Sequence, residues 1–260
     1  MKETKTENKL SEKARKQPLT WLTGLLFSED VYKRIGGYLL IGLILFAIVW
    51  AIAYFVPGEG TLRNTFLVDK LFGIKGSETI GNRWEARLGA TFKLFKKEYQ
   101  TAEVFNNWGN ILLVTLKVFL HHAVAVFLFI FLLNRFRIGR SPLGLFYYLL
   151  YTILIGIVVG TNSYPYPAQG FTPLGALVTF FRFGLWVWFS YGLLLAATTN
   201  WTWLKTGSLL DDSWQREGKF WSWPQLTSDE KEVLIFGLLF LLVSSFAEAR
   251  LIVLYGRHLL

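Results

Sequence analysis

The sequence predicts an all-α fold: a polytopic membrane helical bundle of about five transmembrane helices, with the N-terminus inside and the C-terminus outside. Three observations predict it. Of 260 residues, 53% are hydrophobic and only 17% charged, with a mean hydropathy of +0.37; a soluble domain of this size carries more charge. The charges gather in short basic blocks between uncharged runs of about 20 residues, the length a helix needs to cross a hydrocarbon core. The runs are continuous rather than alternating. Lipid admits only helices and closed barrels, so these runs read as helices and not as barrel strands.

The elements follow in order. Residues 1–34 read as a cytoplasmic basic tail followed by an interfacial helix. The opening "MKETKTENKLSEKARKQPLTWLTGLLF" has a long charged region, a short apolar part and no small-residue cleavage site, so it does not read as a signal peptide. Residues 18–34 put Trp21, Leu22, Leu25, Leu26 and Phe27 within reach of headgroup level. The membrane domain spans 35–256, with crossings expected at about 37–56, 111–133, 143–161, 174–199 and 233–255. Between the first two lies an external segment, 58–105. Its "RWEARLGATFKLFKKEYQTAEVF" sets Trp84, Leu88, Phe92 and Phe95 at helical spacing. Either a solvated loop helix or a docking surface fits it. Residues 200–231 form a Trp-rich cytoplasmic loop whose indoles suit the membrane–water boundary. "TSDEKE" then reads as a helix start, capped by Thr227 or Ser228 with acids in the first turn.

Orientation comes from the short loops. "RFRIGR" (135–140) has three arginines and no acid, whereas "NSYPYPAQGFTP" (162–173) has no charge. The positive-inside rule places the first in the cytoplasm. The bases of the 58–105 segment run against this assignment.

The net charge of +9 is read as attraction to the anionic headgroups of the lipid bilayer. No motif accompanies it that would make nucleic acid a partner. With no cysteine, thiolate chemistry and disulfides are excluded. No cofactor and no metal are expected. The adjacent His121 and His122 sit about 100° apart on a helix and make a poor clamp for one ion. Nucleophilic motifs are lacking too; a dyad of Ser244 or Ser245 with His121 has no geometry behind it, and enzyme function is not expected.

Polar residues inside the crossings carry most of the functional signal, because a charge at mid-helix costs about 2.5–3.5 kcal/mol on insertion scales. Asn106, Asn110, Lys117 and His121 fall within an arc of about 60° and suggest a buried seam, with His122 turned away. Gly175, Thr179, Arg182 and Trp186 share a face of the fourth crossing. Gly237, Ser244 and Glu248 share one of the fifth, where small residues permit close approach. Glu248 is expected to face the interior and to meet a base on another helix, Arg182 or Lys117. That pair would fix helix packing or would line a path for protons or ions.

Four features together resemble the stage II sporulation protein M family of integral membrane proteins. A basic N-terminus precedes one crossing and an external helical segment. "FNNWGNILL" (105–113) is similar to the family's Phe-x-Asn opening of the second crossing. "LLNRFRIG" (132–139) is similar to its apolar run followed by a basic or Asn-Gly turn and Gly. "LLVSSFAEA" (241–249) is similar to its closing small-residue stretch and Glu-Ala. The chain departs from the family where a Leu-Pro-His/Gln motif opens the fourth crossing, since "FFRFGLWVW" (180–188) stands there, and Arg250 replaces an aromatic and a proline after Glu-Ala. The resemblance covers most of 35–256. It implies a multi-pass plasma-membrane scaffold for a peptidoglycan-remodelling (engulfment) complex, with sporulation proteins D and P as partners. It also implies structural roles for Asn106, Gly139 and Glu248. A homo-oligomer stays open, and so does a second function: the membrane subunit of a transporter or permease.

Overall fold

The computed structural model describes residues 21–57, 108–163, 175–207, 213–217 and 225–258. The external segment 58–105 and Asn106 lie outside these. The fold of the described residues is carried by α1 (Val31–Phe55), α2 (Trp108–Val126), α3 (Leu143–Gly160), α4 (Gly175–Thr179), α5 (Leu185–Thr198) and α6 (Ser228–His258). Among the described residues, four helices are long and apolar enough to cross a membrane, or five if α4 and α5 form one span bent by 51°. At 1.5 Å per residue, the 25 residues of α1 reach about 37 Å, enough for a hydrocarbon core of about 30 Å.

The packing order explains which faces are apolar. α6 lies against α5 and α2, while α1 lies against α3 and α5. Buried aromatics fill the centre: Phe46 of α1 stacks on Phe180 at 4.5 Å and Tyr148 of α3 on Trp188 of α5 at 5.5 Å. Outward faces are apolar as well. Ile44, Ile48 and Ile52 of α1 and Leu112, Leu116 and Leu120 of α2 are exposed. Such continuous apolar stripes are foreign to a water-facing monomer and suit lipid. α1 and α3 pack tightly at Gly156 and Gly160, a small-xxx-small pair. A Cβ on Gly160 would stand 2.6 Å from the Trp50 carbonyl oxygen and 2.7 Å from Ala53 Cβ, so hydrogen alone permits this approach.

Several elements begin, end or bend differently from the sequence expectation. The expected interfacial helix over 18–34 is interrupted in its described part: it is helical over 21–26 and again from Val31, where α1 begins. It gives way before Asp30, whose carboxylate accepts from Tyr32 N (2.9 Å) and Lys33 N (3.4 Å) and starts α1 there, six residues ahead of Gly37. α2 does not run evenly to its end. It passes into a π-helical turn, Phe127–Phe131, closed by Leu132 N donating to Phe127 O at 2.9 Å, and then a 3₁₀ turn, Leu133–Arg135. The fourth crossing is broken by a second π-helical turn, Phe180–Gly184.

A small sheet is the element the sequence did not announce. Strands β1 (Phe136–Ile138), β2 (Ser141–Pro142), β3 (Leu204–Thr206) and β4 (Gln215–Arg216) lie in the order β2-β1-β3-β4. β1 and β2 form a hairpin. Gly139, at φ 58°, takes the first central position of its two-residue loop, where a type II′ turn wants glycine. β1 pairs parallel with β3, setting Arg137 beside Lys205. Thus the α2–α3 connection and the α5–α6 connection, read above as two separate loops, are one hydrogen-bonded unit at the same end of the bundle.

Candidate functional site

The inward face of α2 is made by Val114, Thr115, Val118 and Val126, all buried. Their spacing, three or four residues, carries His122 inward with them. His121 is then exposed and Lys117 half-buried. The expected seam through Lys117 and His121 is therefore not the buried one. β-branched and small apolar residues, not the polar stripe, choose which side of this helix packs. Asn110 lies in the first turn of α2.

His122 sits between two partners on two other helices. Its Nδ1 is 3.1 Å from the Tyr191 hydroxyl of α5. Its Nε2 is 3.1 Å from Glu248 Oε2 of α6. The His122 and Glu248 side chains are 14% and 16% exposed, so Glu248 faces protein rather than the lipid belt. The base found on it is the histidine that the sequence reading had turned away. Arg182 lies exposed on the π-helical turn. One imidazole thus ties α2, α5 and α6 together. Whichever tautomer it adopts, one nitrogen faces a phenol and the other a carboxylate, an arrangement that orients the ring and can hold one proton along the line. Ser244 and Ser245 are buried on the same helix, and both hydroxyls donate to Leu241 O, at 2.9 and 2.6 Å. Neither is poised to pass its proton to His121.

A second polar node lies at the sheet end. Arg34 of α1 and Glu230 of α6 form an ion pair at 2.6 Å, with side chains 1% and 3% exposed. Glu230 Oε1 also accepts from Asn200 Nδ2 at 2.8 Å. Its Oε2 accepts from Thr227 N at 3.1 Å, while Thr227 Oγ1 accepts from Glu230 N at 3.2 Å. That reciprocal pair is a capping box and makes Thr227 the cap of α6. Arg34 Nη1 donates to the carbonyls of Ser28 and Glu29, both at 3.2 Å. Nearby, the Tyr38 and Thr199 hydroxyls meet at 3.0 Å, Arg137 Nη2 donates to Thr199 O at 2.7 Å, and Asn134 Nδ2 donates to Thr198 Oγ1 at 2.7 Å. Burial draws the Arg137 guanidinium pKa below its usual value, with Glu217 pulling the other way. Searches against family models, curated proteins and solved structures return no match to this chain.

Sequence reasoning missed Arg34, Asn134, His122 and Tyr191. The "TSDEKE" stretch did signal the start of α6, but nothing local names the base 196 residues away. His122 had a readable signal in its apolar neighbours Val114, Val118 and Val126. Among the described residues, no group of three or more His, Cys, Asp or Glu side chains is placed to hold a metal ion.

Proposed function

We propose that this chain is a non-catalytic, multi-pass scaffold of the plasma membrane, of the stage II sporulation protein M kind. In this reading its N-terminus is inside, its C-terminus is outside, and it anchors a peptidoglycan-remodelling complex. The reading draws on "FNNWGNILL", "LLNRFRIG" and "LLVSSFAEA" and on one structural observation, the His122 imidazole bridging Tyr191 and Glu248. Polar groups inside the bundle are engaged in holding helix to helix, which favours a rigid body that presents its surfaces to partners. The external segment 58–105 is the natural docking region, with sporulation proteins D and P as partners. The test is co-purification of peptidoglycan-active proteins with the full chain. Loss of that association on deleting 58–105 supports the scaffold; an unchanged association removes the docking assignment.

The same triad favours a second reading, the membrane subunit of a transporter, because a histidine–carboxylate pair within the apolar layer can carry a proton. Uptake into reconstituted vesicles, abolished by Glu248→Gln, would favour it over the scaffold.

A further inference from the structure

Among the described residues, the buried side-chain donors at the sheet end that meet no acceptor include Trp201 Nε1, Thr202 Oγ1 and Arg137 Nε. Burying such a group unmet costs about 1–3 kcal/mol, so three in one corner call for a common explanation. They do share a corner. Arg137 donates to Thr199 O, two residues before Trp201. The Arg135 guanidinium carbon lies 5.6 Å from the Trp201 ring centroid. Trp203 N donates to Arg135 O at 2.7 Å, holding the 201–203 backbone against the start of β1.

The surroundings are cationic. Arg135, Arg137, Arg140, Lys205 and Arg216 stand on the strands and their flanks, and the acid described among them is Glu217, 3.0 Å from Lys205. Asp211 and Asp212 lie outside the described residues. Arg137 and Lys205 are register partners on neighbouring strands, a like-charge pairing that has Glu217 beside it as the described acid. What is missing at all three orphan atoms is an acceptor. A phosphate group, rich in acceptor oxygens and negatively charged, fits the missing acceptor and the cationic surroundings.

The corner lies where α2 turns into α3 and where α5 leaves toward α6, so it sits at the end of the apolar helices, at headgroup depth. We propose that this corner is a binding site for the phosphate of an anionic phospholipid headgroup. Arg137 Nε, Trp201 Nε1 and Thr202 Oγ1 supply the hydrogen bonds, and Arg135 and Arg137 supply the charge. Arg135, Trp201 and Thr202 are partly exposed residues, so the headgroup reaches the donors by lifting the Arg135 guanidinium off the indole face, not by opening the packed core. The acyl chains then lie along the exposed apolar face of the helices. The site does not depend on the scaffold reading, and holds for either orientation of the chain.

The experiment uses the full chain in detergent, titrated with short-chain phosphatidylglycerol, with short-chain phosphatidylcholine, and with inorganic phosphate. The thermal midpoint and native mass spectrometry read the result. Phosphatidylglycerol is expected to raise the midpoint and to remain bound. Trp201→Phe keeps an aromatic ring and removes an unmet donor, so its midpoint without lipid should be at or above the parent's while its phosphatidylglycerol affinity falls about tenfold. Arg137→Gln should lower that affinity too, and Lys33→Gln, which removes an exposed cation elsewhere, should leave it unchanged. Equal stabilisation by phosphatidylcholine or by inorganic phosphate overturns the assignment to an anionic lipid. Retention that neither Trp201→Phe nor Arg137→Gln alters overturns the site.

Discussion

Arg34 and Glu230, 196 residues apart in the chain, meet at 2.6 Å in an ion pair that is almost wholly enclosed. The pair joins the start of α1 to the start of α6. A buried pair of this kind is weak evidence for net stability, but removing one partner leaves a charge without compensation. Arg34→Met is therefore expected to destabilise the bundle by about 3–5 kcal/mol. Arg34→Met with Glu230→Leu should lose much less than the two single changes added together, apart from the capping contribution of Glu230. Denaturation midpoints in detergent for the full double-mutant cycle check this; strictly additive losses would show that the two side chains do not act as a pair.

His122 is expected to matter more than its neighbour. His122→Ala removes bonds to Tyr191 and Glu248 and should cost about 1–3 kcal/mol, whereas His121→Ala, at an exposed position, should stay within about 0.5 kcal/mol. Equal effects from the two substitutions in the same thermal assay would contradict the rotation of α2 described above.

Which base acts on Glu248 is a measurable coupling. The cycle pairing His122 with Glu248 should give an interaction energy of about 0.5–3 kcal/mol, larger than the cycle pairing Arg182 with Glu248. Protein abundance in membranes is a convenient first readout. A larger Arg182 coupling would restore the pairing expected from the sequence.

The α1–α3 contact makes a prediction about glycine. Gly160→Ala forces a methyl against the Trp50 carbonyl and Ala53 and should destabilise by about 1–3 kcal/mol. Gly36→Ala has nothing within 4 Å of its new Cβ and should be neutral or stabilising by up to about 1 kcal/mol, the helix-propensity gain. Comparing the two midpoints separates close packing from backbone freedom.

The sequence made some of this plain and hid the rest for identifiable reasons. Long apolar runs mark helices because hydrophobicity is summed over many residues, and α3, expected at 143–161, is Leu143–Gly160. The start of α6 is local chemistry and is legible too, as a cap at Thr227 or Ser228 with acids in the first turn; that Thr227 is the cap came from the structure. The turn at Gly139 follows from one residue type. Rotation about a helix axis is another matter. It is decided by what the helix packs on, so Lys117 and His121 drew attention while His122 holds the buried contact. The π-helical turns at 127–131 and 180–184 have no sequence mark, because they shift register without changing composition. The sheet was hidden because strands of two or three residues leave no period to read, and because β1 finds β3 only across the intervening α3, α4 and α5.

That parallel strand pair has a consequence for chain continuity. β1 belongs to the half of the polypeptide before residue 164 and β3 to the half after residue 174, and the ion pair of Arg34 with Glu230 joins the same two halves. Each half therefore carries a complementary edge and a complementary charge for the other, so two fragments made separately, cut within 164–174, are expected to find each other in a bilayer and rebuild the whole without a covalent link.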